Sequence, residues 1–119
     1  MIEIPPLGRV RARVVTENRH LIRDLSITPA RNPNFSLDEL RAGKILIFQG
    51  ALPVEYLARP NPEILERKLY LNAIIPEGAT LYITLRNHEH IAQRATVCAR
   101  LGSLDGRVPA KVFELEEIE

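Results

Sequence analysis

His88-Glu89-His90 is the stretch of this 119-residue chain with the most chemical reach. On a strand, side chains two apart share a face, so the two imidazoles would point the same way, as many metal ligands do. His20 raises the supply to three imidazoles, but no spacing brings them together. Cys98 is the single cysteine. A nucleophilic thiolate needs a base and a group that orients it. Neither is spaced to meet Cys98, which reads as a structural thiol on the polar face of its strand. No serine sits in a G-x-S-x-G elbow. Ala42-Gly43-Lys44 lacks the earlier glycine and the hydroxyl of a phosphate-binding loop. Asp24, Asp38, Glu55, Glu89 and Asp105 form no pair spaced for acid–base work. The expectation is a non-enzymatic chain without metal or cofactor, in which His88-Glu89-His90 forms a solvated hairpin loop.

The same tripeptide resembles part of the cupin metal motif, in which a His-x-His follows a glycine and precedes a ligating Glu. Here the spacing from Gly78 is too long, no Glu lies within several residues after His90, and no later strand offers a His. A cupin-like barrel for a small ligand or metal is therefore an alternative function, with His88, His90 and His20 as its ligand candidates.

Arg9, Arg11 and Arg13 share one face of a strand whose other face carries Val10, Ala12 and Val14. Such a stripe can track phosphates. Single-strand binders also interleave aromatic side chains, and the nearest platform here is Tyr70 with Tyr82. A nucleic-acid-binding β-barrel is the second alternative. An ion-paired stripe is the stronger reading, because the chain ends in Phe113-Glu114-Leu115-Glu116-Glu117-Ile118-Glu119, as acidic as the arginine strand is basic. Opposite charges across adjacent strands contribute roughly 0.2–1 kcal/mol each, so the two strands can pair within one chain or between chains. Residues 1–8 read as an extended, apolar, proline-bearing arm able to bind a neighbour. Candidate interface residues are thus Ile2, Ile4 and Leu7 in the arm, Arg9, Arg11 and Arg13 in the first strand, and Glu114, Glu116 and Glu119 at the end.

The elements that must position these residues are mostly strands, because the hydrophobic period is mostly two. Strands are expected near 9–14, 21–27, 44–49, 53–57, 68–75, 80–86, 95–101 and 107–115. Lys44 to Gln49 is a continuous apolar run and reads as a strand buried on both faces. Residues 68–87, with Pro76-Glu77-Gly78-Ala79 as the turn, read as a β-hairpin, followed by a partner strand. Glu17-Asn18-Arg19 and Asp105-Gly106 are turn signals. Ser36-Leu37-Asp38-Glu39 fits a capping box and Gly43 a helix C-cap, which places one short helix at 37–42. Asn61 and Pro62 can start a helical turn over 62–67. The expected fold is mainly β: an antiparallel sandwich, or a jelly roll or barrel, of about eight strands, with 9–119 as a single domain.

Composition agrees with one aliphatic core: 45% hydrophobic and 26% charged residues, with no Trp. The net charge is +1, so no global field draws the chain to nucleic acid or acidic lipid. No apolar run approaches 18 residues, and the start lacks the pattern of a signal peptide. A cytoplasmic protein is expected, with neither nucleic acid nor membrane as partner.

Ile75-Pro76-Glu77-Gly78-Ala79-Thr80-Leu81-Tyr82-Ile83-Thr84-Leu85-Arg86-Asn87, followed by Ala95 to Leu101, resembles hairpins of small β-sandwich proteins of bacteriophage particles. There an I-P-x-G turn leads into a strand ending in R/T-N, and another strand follows. The resemblance implies a minor capsid, decorating or tail-associated protein without enzymatic activity, located in the virion; it transfers no functional residue. The expected function is a structural, self-associating β module, a homo-oligomer or a part of a larger protein assembly.

Overall fold

The computed structural model describes residues 1–16, 20–76, 78–102 and 110–116, with His20 described by its backbone. Its strands are β1 (Ile2–Ile4), β2 (Arg9–Val15), β3 (His20–Pro29), β4 (Phe35–Ala42), β5 (Ile45–Pro53), β6 (Arg67–Ile75), β7 (Thr80–Asn87), β8 (Gln93–Gly102), β9 (Ala110–Val112) and β10 (Glu114–Leu115). The turns expected at Glu17-Asn18-Arg19 and Asp105-Gly106 lie outside the described residues, as does Glu119.

Alternation decides which side chains are buried. Val10, Ala12 and Val14 of β2, Leu81, Ile83 and Leu85 of β7, and Ala95, Val97, Ala99 and Leu101 of β8 all point inward. Each strand has one wet face, so two sheets must pack their apolar faces together. One sheet runs β1-β8-β3-β6, with β9 also on β8; the other runs β10-β2-β7-β4-β5. All pairings are antiparallel. β1 pairs β8, β2 pairs β7, β3 pairs β6 and β4 pairs β5. This is one long antiparallel hairpin rolled so that alternate pairs fall in opposite sheets, the jelly-roll order of a β-sandwich.

Four expectations need correction. The helix placed at 37–42 is strand β4. Its inward residues are Phe35, Leu37, Leu40 and Ala42. A bulge at Asp38, where β4 spends one residue more than β7, stretches one step of the period and makes it look helical. The Ser36 hydroxyl, expected to cap a helix, instead bonds the Asp38 carboxylate at 2.6 Å. The run 44–49, expected to be buried on both faces, lies in edge strand β5, in which no residue is fully buried. The strand expected at 53–57 is the end of β5 and a 3-10 turn over Val54–Tyr56 that sinks Val54 into the core. Finally, residues 68–75 and 80–87 do form strands but not a hairpin. β6 pairs β3 in one sheet and β7 pairs β2 and β4 in the other. The Pro76–Ala79 connection crosses between sheets, which pack roughly 10 Å apart.

The ends of the chain are built in. β1 pairs β8, and its alternation sends Ile2 and Ile4 into the core instead of onto a free arm. Phe113 is 2% exposed, between β9 in one sheet and β10 in the other. One tip of the sandwich is tied by buried amides. Asn87 Nδ2 donates to the carbonyls of Ile4, Pro5 and Ile91, while its Oδ1 accepts from Gln93 Nε2 at 2.8 Å. Gln93 in turn exchanges two hydrogen bonds with the Asn34 backbone. Satisfied buried amides of this kind fix the relative positions of three loops.

Candidate functional site

The tied tip contains the histidine motif. His88-Glu89-His90 follows β7 in the loop to β8, so the two imidazoles are not on a strand. The loop is held by its backbone: His88 N–H donates to the Asn34 carbonyl and Leu7 N–H to that of Glu89. Glu89 is bound by Arg31 at 2.7 Å and by Asn34 Nδ2. His20 begins β3, whose far end, not its start, leads into this tip's 30–34 loop. No group of three or more His, Cys, Asp or Glu is placed to hold a metal ion among the described residues.

His88 does meet a serine that sequence reasoning did not pair with it. His88 Nε2 lies 2.9 Å from Ser36 Oγ, which is 2.6 Å from Asp38 Oδ1; Asp38 Oδ2 accepts from Arg86 Nε at 2.9 Å. A hydroxyl has one proton, and the ion-paired Asp38 can only accept. Ser36 therefore donates to Asp38 and accepts from His88 Nε2–H. In this arrangement His88 cannot take the serine proton, and Ser36 is itself buried. The chain of bonds pins β4 to β7 and its loop.

Cys98 lies on the outer face of β8, opposite Ser26 on β3 and Val112 on β9. Burial first, and the Glu66 charge second, raise its thiol above the ordinary range. This disfavours the thiolate, which is the nucleophilic form.

The arginine stripe meets the acidic end within one chain. β10 pairs β2, with Glu114 opposite Arg13, and Arg11 Nε lies 3.3 Å from Glu116. The Arg11 guanidinium also stacks 4.2 Å from the Tyr82 ring centre. Arg9 stands opposite Arg86 at one wall of an open groove of about 590 Å³, and Asp38 and Glu39 form another wall. The groove is therefore of mixed charge. Leu7 stands exposed (57%) at the tip, in a turn closed by Gly8 N–H to the Pro5 carbonyl. A Cβ on Gly8 would lie 2.6 Å from Pro5 Cγ, so this turn requires glycine there.

The feature that sequence reasoning missed is the outer edge of β5. Two bulges distort this strand. Opposite Leu37 and Glu39 it carries an extra residue near Gly50, which has φ +144°, and opposite Leu40 and Arg41 it carries Ile47 as an extra. Each bulge breaks the period of two. Ile45 and Leu46 are left 51% and 43% exposed, and Ile47, Phe48 and Leu52 only partly cover the core. β5 spans nine residues without one charge, and no described residue pairs its outer side. An edge of this kind is a template for another strand unless charge, proline, bulges or a covering segment blunt it; β5 has two bulges and ends in Pro53, but it carries no charge and no described segment covers it.

β6, the edge of the other sheet, is blunted. It carries Arg67 and Lys68, and the Ala58 carbonyl accepts from Lys68 N–H at 2.8 Å on its outer side. Across the opposite side of the sandwich, β1 packs on β2 and β7, whereas no comparable contact joins β5 to β6. The side between β5 and β6 carries the part-buried Phe48, Leu52, Leu69 and Leu71, packed against the edge of the core, and is crossed by the 54–66 connection, which buries Val54 and Leu57.

No protein-family model, curated protein or solved structure matches this chain.

Proposed function

We propose that this chain is a non-enzymatic assembly protein, a jelly-roll subunit that self-associates as capsid or capsid-decorating proteins do. The observation that carries the reading is the uncharged β5 edge. A monomeric soluble protein seldom leaves a long apolar edge bare, and a neighbouring subunit is what would cover it. The jelly-roll order is an architecture used by viral capsid domains among others. With the resemblance to phage-particle hairpins, it favours a place in a virion. The Ser36 hydroxyl engaged by Asp38 and the burial of the Cys98 thiol, which raises its pKa, favour a structural role over a catalytic one.

Size-exclusion chromatography with light scattering tests the reading. The expected result is a discrete mass that is a multiple of the 13.5 kDa chain. A strict 13.5 kDa species at the highest attainable concentration counts against it.

A further inference from the structure

We infer that the partner of the β5 edge is β5 of a second copy, in antiparallel two-fold pairing that joins two five-stranded sheets into one of ten. This rests on the self-association reading and adds to it the interface and its register.

On the closed side the edge strands β1, β9 and β10 have three, three and two residues, too short to template a long partner. β6 is charged and partly covered by Ala58. Among the described residues, β5 alone combines nine residues, an apolar sequence and a free outer side.

Its composition then selects the occupant. Antiparallel self-pairing sets a strand against itself, so any charge on it faces its own copy nearby, and like charges opposite each other are destabilising. β5 carries none. Counted residue for residue, full overlap of Ile45–Pro53 about a two-fold axis places the fifth residue, Gln49, opposite itself, with the two bulges of β5 displacing its neighbours locally. Leu46 then faces Leu52 of the partner subunit, Ile47 faces Ala51 of the partner subunit, and Phe48 faces Gly50 of the partner subunit. Every pair is apolar except the central amides, which can bond each other. An aromatic ring across from an edge glycine covers the backbone that the glycine leaves bare. A pair of strands alone is small beside the roughly 800 Å² per partner of a stable interface, so the exposed Ile45 and Leu46 and the part-buried Phe48 and Leu52 must contribute to the contact as well.

Three measurements on the full chain test this. In a Cys98→Ser background, Gln49→Cys should cross-link to a covalent dimer under mild oxidation, while Glu55→Cys, beyond the strand, should not. Leu46→Lys, at a site exposed in the subunit, should weaken association about tenfold or more with unchanged circular dichroism and thermal midpoint. Association should persist as salt is raised, because the interface holds no charge. An oligomer that ignores Leu46→Lys and leaves Gln49→Cys uncross-linked overturns the β5 pairing while self-association stands. An oligomer that dissolves in salt and is lost on Arg11→Glu assigns the contact to the charged terminal strands and likewise overturns it. A wild-type monomer at all concentrations overturns both this inference and the reading beneath it.

Discussion

On the closed side of the sandwich, among the described residues, no edge strand is longer than three residues. Ile2, Ile4 and Phe113 plug the gap between the sheets there, and an Arg11–Glu116 pair fastens the end of the chain. On the other side two nine-residue strands run along the edges, and apart from Ile75 none of their apolar side chains is fully buried. The same kinds of residue are used on both sides. The difference lies in what crosses between the sheets: β1 and the β9–β10 segment pass from one sheet toward the other and carry apolar residues with them. The other side has instead the 54–66 connection, which sinks Val54 and Leu57 and then lies along β6. Closing a sandwich is thus the work of the connections, and an edge they leave uncovered becomes a surface for something else.

Exchanging like for like across the two sides tests that contrast most strongly. Phe113→Ala should cost about 3 kcal/mol or more in urea unfolding, since it empties a fully packed aromatic site. Phe48→Ala, at a part-buried site, should cost about 1 kcal/mol but shift the light-scattering mass toward the monomer. Equal losses of stability would erase the distinction between plug and rim.

Making the blunted edge apolar sharpens it further. Lys68 lies 3.9 Å from the buried Asp24, which Arg100 also pairs. Lys68→Leu should cost stability, but less than the roughly 3–5 kcal/mol of a buried carboxylate left alone, because Asp24 retains Arg100. It should also make β6 adhesive, seen as species larger than the wild-type oligomer. Failure to gain association would show that the Ala58 cover, not the charge, protects β6.

The Cys98 thiol gives a pH signature beside β9. Its pKa is raised in the folded chain by burial and then by Glu66. The sign follows from linkage: the stabilisation is complete below the unfolded thiol pKa of about 8.5 and is lost as pH rises through the higher folded value. Stability should fall above about pH 8.5, and Cys98→Ser should flatten that alkaline slope. Alkylation of the native thiol at neutral pH should be slow.

The smallest effect belongs to the charged fastening. Arg11 and Glu116 are both solvent-accessible, so Glu116→Gln should cost less than about 1 kcal/mol, and the loss should shrink as salt is added. A larger loss would mean that the latch, and not Phe113, closes that side.

Much of this fold was legible in the residues. Arg9 to Val14, Leu69 to Ile75, Leu81 to Leu85 and Ala95 to Leu101 announce strands and their inward faces, because a strand repeats every two residues wherever it pairs. β4 was not legible. Its bulge at Asp38 mixes steps of two and three, and Ser36 with Glu39 mimics a helix start. The site was less legible still. His88 and Ser36 meet across elements 52 residues apart, and no local pattern encodes such a meeting. The apolar run 44–49 was visible, but apolarity alone does not say whether a strand is central or at an edge.

The sequence by itself determined the class of structure and the side of each strand that turns inward, since those follow from the spacing of apolar residues along a pleated chain. It also held the complementary charges of β2 and β10. Only the tertiary structure decided which strand neighbours which, because alternation sets a face and not a partner. It sent β6 and β7 to different sheets, turned Ile2 and Ile4 inward, and paired the arginine strand with its own chain's acidic end. It left β5, an uncharged run of nine residues, at a sheet edge with two bulges and no described neighbour on its outer side.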